Sequence, residues 1–357
     1  MRLRSLNLVD FRNIETTQLA FDGRRIFFLG SNGQGKTNLL EAIGFSSALR
    51  SFRTSEARDL IRLERSRAEL LFRFEHAETE TEAFIGLDRS RGKEVLIDDE
   101  KISRLGDFIG RFPSIVFSSD DLRLPRGGPA ERRKFLDIAF ASADANYLEG
   151  LRRYHRALRG RNALLRQDGE DAELSAFENE MGASASVVVN ARRQGLNGLC
   201  RHFNNRYQII AGEKEESSLR YMPDTEIDEA EDFARLLHES RPRDRHAKTT
   251  HRGPHRDDFS FLLNDRDARK FASEGQHRSM VLALRFGQAD FLFEQLGFRP
   301  LILADDVLGE LDADRRCNFR SCLDDDFQVF ATGTTLFGDD SDRWEVFQTK
   351  SGGFIKA

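Results

Sequence analysis

The chain has 357 residues, 39% hydrophobic and 32% charged, enough apolar material for one large domain or two. No apolar run approaches the roughly 20 residues of a membrane helix, and the opening "MRLRSLNLVDFRNI" alternates like a strand instead of forming a signal peptide's apolar block, so a cytoplasmic location is expected. The formal net charge of −5 would argue against nucleic acid if it were spread evenly, but Arg123, Arg126, Arg132, Arg133 and Lys134 cluster, Arg152, Arg153, Arg156, Arg159, Arg161 and Arg166 follow, and acids collect near the C-terminus.

In chain order, the opening strand is followed by "RRIFFLG", a compact strand ending on a glycine, and by "TNLLEAIGFSSALR", which has helical periodicity. Between Ala68 and Asp98, "AELLFRFEH", "TEAFIGLDR" and "KEVLIDD" read as strands parted by polar turns. From about Pro129 to about Ser240 the pattern turns helical. In "LRRYHRALRGRNALLR", Leu151, Tyr154, Leu158 and Leu165 form an apolar stripe, and Arg152, Arg156, Arg159 and Arg166 run along a neighbouring track. The polar stretch "EESSLRYMPDTEIDEAED" and "RPRDRHAK" read as the return from this helical arm, and after "THRGPHRDDFSFLL" strand and helix punctuation resumes. The expected architecture is α/β, with an ATPase head split into residues 1–124 and 249–357 and an inserted, mainly helical arm at 125–248. Cys200, Cys317 and Cys322 are odd in number without a C-x-x-C pair and read as reduced thiols. His246, His251 and His255 lie close together without acid or thiol ligands at metal spacing, and read as part of a polar loop.

"GSNGQGKT", Gly30 to Thr37, fits G-x-x-x-x-G-K-[ST] at every fixed position. The glycines let backbone N–H groups turn toward phosphate oxygens, Lys36 reaches the outer phosphates of ATP, and the Thr37 hydroxyl can hold Mg²⁺. In "RPLILADDVLGELD", Leu301, Ile302 and Leu303 make a buried parallel-type strand with Asp305 and Asp306 at its C-terminal end, where open α/β sheets bind ligands. Asp305 would hold Mg²⁺ and Asp306 would orient or deprotonate the attacking water. Lys36 and Asp305 lie so far apart in sequence that a large insertion must separate the two halves of the head. "SEGQ", Ser273 to Gln276, opens an apolar-periodic helix and is a second helix start suited to an anion.

The order P-loop, Ser-x-Gly-Gln helix start, DD strand is similar to that of ATP-binding-cassette proteins, where the signature helix binds the γ-phosphate of ATP held by a second head. More closely, the chain resembles the RecF family of bacterial recombination mediators nearly end to end. The resemblance rests on "LVDFRNI", "KTNLLEAI", "LRSFRT", "GGPAERRKFLD", "RNALLR", "GPHRDDF", "SEGQHRSMVLAL" and "DDVLGELDADRR". It implies an ATP-dependent DNA-binding protein of replication and repair that dimerises around ATP, hydrolyses it slowly with stimulation by DNA, and helps place RecA on gapped DNA with RecR and RecO. Carried onto this sequence, the nucleotide falls on Gly30, Ser31, Asn32, Gly33, Gln34, Gly35, Lys36, Thr37 and Asn38, and the metal on Thr37 and Asp305. The catalytic roles fall on Lys36, Asp305 and Asp306, and the trans γ-phosphate on Ser273, Gly275 and Gln276. Asp312 falls in the loop that couples two heads, Arg12 is a further candidate nucleotide contact, and the Arg152, Arg156, Arg159, Arg166 track is the candidate grip on DNA phosphates. Where relatives carry a metal-contacting glutamine, this chain offers Ser118, Ser119 or Asp120. In place of the transporters' histidine switch it has Thr332, Thr334 and Thr335.

Overall fold

Alternation and its two interruptions shape the first lobe. In the strand Arg2–Phe11, Leu6 and Leu8 face the core, and a register shift between Leu3 and Ser5 brings Leu3 onto the same buried face. At the other end Asp10 takes φ 50 and turns Phe11 inward. This strand pairs antiparallel with Ile14–Ala20 on one side and Arg67–His76 on the other, and Thr79–Asp88, Gly92–Ile97 and Glu100–Lys101 complete a six-stranded sheet. The three strands expected between Ala68 and Asp98 are all present. The computed structural model describes residues 1–77, 79–212, 215–227, 229–310, 313–336 and 343–357.

A second six-stranded sheet forms the centre of the head. Its order is Gly353–Lys356, Glu345–Lys350, Arg25–Leu29, Val329–Gly333, Leu301–Ala304, Ser114–Phe117, parallel except for the terminal hairpin. Its central strands, Arg25–Leu29, Val329–Gly333 and Leu301–Ala304, are buried on both faces, as parallel strands covered on both sides must be. Ile26, Phe28, Leu301, Leu303 and Phe330 pack toward the first lobe and the helix Lys36–Ala48, while Phe27, Ile115, Phe117, Ile302 and Ala331 pack toward the later helices. The head is thus assembled from both sequence ends around one sheet.

The helical middle comprises Pro129–Ala143, Ala145–Arg166 and Asp171–Ala211, the last 41 residues long and therefore about 60 Å. Tyr154 and Leu158 of the predicted stripe are buried in a separate core with Met181, Val189 and Phe233. Arg161, grouped with the basic cluster in the sequence, is 0% exposed. It donates to Glu178, Asp244, Thr250 and the Leu237 carbonyl, so it is a structural cation and not part of the exposed face. Strands outside the expected segments include Ser114–Phe117, the edge of the central sheet, and Ser217–Met222, which lies in the expected return segment and pairs antiparallel with Asp258–Leu263, making a three-stranded sheet with Arg266–Asp267 that crosses residue 248. The histidine loop is pinned: His255 shares a 2.7 Å hydrogen bond with the Tyr154 hydroxyl, His251 sits 3.0 Å from Asp244, and burial lowers the pKa of His255 to about 4.

Two of the sequence blocks carrying the family resemblance meet in one buried ion network. From "GGPAERRKFLD", Arg132 grips Asp258 with both arms of its guanidinium (2.7 and 2.8 Å) and Arg133 donates to the Asp257 carbonyl. Arg192, on the 41-residue helix, donates to Asp137 and Asp257, each at 2.7 Å, and to the Pro254 carbonyl. This network bolts the helical arm to the head.

Candidate functional site

The loop Gly30–Gly35 joins the strand Arg25–Leu29 to the helix Lys36–Ala48. Gly33 and Gly35 take φ 78 and φ 110, where L side chains are strained, and a Cβ on Gly30 would lie 2.5 Å from the Thr349 carbonyl oxygen. The helix that follows has no side-chain cap and no acid in its first turn, so its orphan N–H groups are open to an anion. Lys36 is 4% exposed and its ammonium donates to the Gly30 and Ser31 carbonyls at 2.8 and 3.0 Å, leaving a third N–H for a phosphate oxygen. Ser31, Asn32 and Gly33 are exposed at the loop's crest. Gln34 is held from behind by the terminal hairpin: its side-chain and backbone oxygens accept from Ser351 N–H (2.7 Å) and Gly352 N–H (2.8 Å).

The strand Leu301–Ala304 is not adjacent to the loop's strand; Val329–Gly333 lies between them. The two motifs nonetheless meet, because the Thr37 hydroxyl donates to Asp305 Oδ1 at 2.8 Å. Burial pushes the Asp305 carboxyl up, with Asp306 adding to the rise, while the hydrogen bonds from Thr37 and Thr332 oppose it. A half-buried carboxylate beside a hydroxyl, under a phosphate loop, is the oxygen donor pair that Mg²⁺ takes. Asp306 follows in the left-handed region at φ 55, an uncommon conformation for a non-glycine residue.

What holds this pair is a residue whose role the sequence did not disclose. Thr332, 1% exposed on the intervening strand, donates to Asp305 Oδ1 at 3.1 Å and accepts from Asp306 N–H at 2.9 Å. One hydroxyl thus orients both acids. Thr334 and Thr335 are exposed. Three threonines close together hid which one serves the site; Thr332 is the one inside the strand Val329–Gly333, all of whose residues are buried, while the other two lie beyond its end.

Arg12 and Asn38 are committed within the protein. Arg12 forks onto Glu41 at 2.8 and 2.9 Å and donates to the Asp59 carbonyl. Glu41 is fully buried one turn beyond Thr37 and also accepts from Ser51, with Arg53 at 3.4 Å. Asn38 donates to Asn13 and accepts from Arg53, both at 2.7 Å. Glu41, Asn13, Ser51 and Arg53 therefore form a shell behind the loop that sequence reading missed, although they sit inside "DFRN", "LLEAI" and "LRSFRT". Beyond the edge strand Ser114–Phe117, Asp121 caps the turn at Ser118 N–H and pairs with Arg285, while Asp120 stays exposed.

The helix Glu274–Leu296 begins in a reciprocal capping box: Gln276 N–H donates to Ser273 Oγ at 3.3 Å, and Ser273 N–H to Gln276 Oε1 at 2.7 Å. This helix packs on the edge strand, with Phe286 against Phe117 at 4.9 Å between ring centroids. That edge is three strand spacings, roughly 14 Å, from the loop's strand. Among the described residues no hydrogen bond joins Ser273, Gly275 or Gln276 to residues 30–38. Asp312 lies outside the described residues. Arg152, Arg156, Arg159 and Arg166 are all exposed on the helix Ala145–Arg166, and among the described residues none has an acid within 4.0 Å. Arg153, beside them, is paired with Glu180 at 2.7 Å.

The family model of the RecF/RecN/SMC N-terminal domain matches residues 2–336. The DNA replication and repair protein RecF of Geotalea daltonii is 33% identical over 356 residues, covering 98% of this chain and 97% of the relative. Its counterpart from Leptospira interrogans is 36% identical over 341 residues, covering 95% and 93%. Among solved structures, the recombination mediator protein RecF with ATP superposes with a TM-score of 0.91 at 28% identity, over 99% of this chain and 97% of that one. An Smc head bound to the C-winged helix domain of ScpA, at 14% identity and covering 100% of this chain and 98% of its own, has a TM-score of 0.56 and shares the fold. A split α/β head with a P-loop, matched along almost its whole length by these relatives, belongs to the RecF family of DNA replication and repair proteins.

Proposed function

We propose that this chain binds ATP at Gly30–Asn38, dimerises around it, hydrolyses it slowly with stimulation by DNA, and binds gapped or junction DNA in recombinational repair and replication restart. The 2.8 Å contact between Thr37 and Asp305 carries the reading, because it brings the phosphate loop and the acid strand to one point. The loop's glycines, the uncapped helix start and the remaining donor of Lys36 receive the triphosphate oxygens. Thr37 and Asp305 would hold Mg²⁺, which supplies positive charge to the phosphate oxygens. Asp306 accepts a proton from water as the water oxygen bonds to the γ-phosphorus and the bond to the β-phosphate oxygen breaks, giving ADP and phosphate.

In the dimer, Ser273, Gly275 and Gln276 of one subunit close on the γ-phosphate held by the other, and Asp312 couples the two heads. Residues 125–248 act as the arm, whose Arg152, Arg156, Arg159 and Arg166 meet the DNA backbone. The related RecF–ATP structure belongs to the RecFOR pathway; by that likeness RecR and RecO are the partners, loading RecA in the cytoplasm. No helix among the described residues is long and apolar enough to cross a membrane. Equilibrium titration with labelled ATP tests the loop: Lys36→Ala loses binding. Gel filtration tests the trans site: Ser273→Arg binds ATP but stays monomeric, and ATP-driven dimers of that variant would refute it.

A further inference from the structure

The amide of Gln276 is occupied on both ends. Its oxygen accepts from Ser273 N–H at 2.7 Å, and its nitrogen donates to Glu215 Oε1 at 2.6 Å. A carboxylate can only accept here, so Glu215 fixes which way the amide points and, with it, the capping box that shapes the helix start. The other oxygen of Glu215 accepts from the Tyr207 hydroxyl at 2.6 Å. Tyr207 is fully buried near the C-terminal end of the 41-residue arm helix. The segment around Glu215 is fastened in turn: Asn264 N–H donates to the Glu216 carbonyl at 2.8 Å, and the Asn264 side-chain oxygen accepts from Glu216 N–H at 2.9 Å. Along their length the arm helix and the signature helix are already packed and ion-paired, as by Arg206 on Asp290; at the start of the signature helix, where the trans-site reading brings the partner's phosphate, Glu215 is the carboxylate that links Gln276 to Tyr207.

We propose that Glu215 is an anionic latch: in the single subunit it holds the Gln276 amide hydrogen bond that the partner's γ-phosphate takes in the dimer. The inference rests on the trans-phosphate reading above. Both oxygens of Glu215 are tethered by charge-assisted hydrogen bonds, so the carboxylate is a fixed negative charge at a helix start, where an anion is stabilised. A phosphate entering there meets that charge and Glu274, although Glu274 is already countered by Arg126 at 2.5 Å. The phosphate displaces Glu215 from Gln276, and Glu215 stays on Tyr207. Docking of ATP across the interface is thereby registered at the end of the arm helix. Glu215 is a positioning residue in this scheme, acting through Gln276 without touching the reacting atoms.

Glu215→Gln removes the charge while keeping the shape and an acceptor for Tyr207. The test is the protein concentration at which ATP drives dimerisation, measured by sedimentation velocity beside ATP affinity under conditions where the protein is monomeric. The latch predicts dimerisation at a concentration on the order of tenfold lower than the native chain, at unchanged monomer ATP affinity, with the difference shrinking as salt screens the repulsion. A merely structural Glu215 predicts the opposite, a frayed helix start and weaker dimers. Glu215→Ala is the second variant, expected to move in the same direction. Dimerisation equal to or weaker than native in either folded variant overturns the latch. Ser273→Arg run alongside separates the two ideas: if it still dimerises with ATP, the trans site is wrong, whereas a monomeric Ser273→Arg beside an unaltered Glu215→Gln refutes the latch alone.

Discussion

Replacing Thr332 by valine keeps the volume of a fully packed position and deletes one hydroxyl. In the native chain that hydroxyl donates to Asp305 Oδ1 at 3.1 Å and accepts from Asp306 N–H at 2.9 Å. Because Thr332 is 1% exposed, water cannot readily replace either partner, and the Asp306 N–H is left unpaired. An orphaned buried donor costs about 1–3 kcal/mol, so thermal or urea unfolding of the nucleotide-free protein reports a loss of that size. The same change removes one of the two hydrogen bonds that oppose the burial-driven rise of the Asp305 pKa, and it frees Asp306 from the anchor of its left-handed backbone. If about 2 kcal/mol of that positioning is felt in the transition state, steady-state phosphate release falls roughly thirtyfold, while ATP affinity, set mainly by the loop and Lys36, changes much less. Thr332→Ser restores the hydroxyl and recovers most of the turnover. Phosphate release by Thr332→Val within twofold of native, at native stability, would refute the assignment of Thr332 as the residue that aligns the two acids.

The other expectations follow from named contacts. Asp305 has a folded pKa raised above its unfolded value, so its ionisation costs stability as pH rises from the ordinary carboxylate range through the raised pKa; Asp305→Asn, whose oxygen still accepts from Thr37 and Thr332, raises the melting temperature of the nucleotide-free protein at neutral pH, leaves it unchanged below about pH 3, and abolishes Mg²⁺-dependent phosphate release. Arg192→Ala leaves buried Asp257 and its neighbour Asp137 without their shared cation, and destabilises the fold by about 3–5 kcal/mol in urea titrations. Neutralising Arg156 and Arg159 together lowers DNA affinity similarly for all sequences and makes the slope of log affinity against log salt shallower by up to about 1.8, measured by fluorescence anisotropy.

The elements that sequence made legible are those governed by local pattern. The phosphate loop, the strand before it, the helix after it and the DD strand each announce themselves through glycine spacing or apolar runs, and all appear where expected. The strand Ser217–Met222 escaped because "SSLRYM" has little apolar content of its own and gains its strand from pairing with Asp258–Leu263, some forty residues on. Arg161 and Arg152 look alike in sequence, nine positions apart on one helix; only the acids brought by Glu178 and Asp244 make the first a buried structural ion. Arg12 and Asn38 were legible as neighbours of the nucleotide loop, but not as members of the Glu41 shell, since that shell is closed by residues from three separate segments. Thr332 shows the same limit at the site itself: its type was visible, whereas its two partners depended on which strand lies between the two motif strands.

The hairpin that supports Gln34 and crowds Gly30 has a consequence for the order of events during synthesis. The loop at 30–37 leaves the ribosome early, but Thr349, Ser351 and Gly352, which shape it from behind, emerge about three hundred residues later. At about 5–20 residues per second the loop's own sequence waits tens of seconds for the strands that complete its sheet, Val329–Gly333 and Glu345–Lys350. Local contacts let the arm helices form in that interval, while the nucleotide site cannot. The strands and hairpin that brace the loop are thus the last of its supports to be made, and the nucleotide site is among the last parts of the head to be completed.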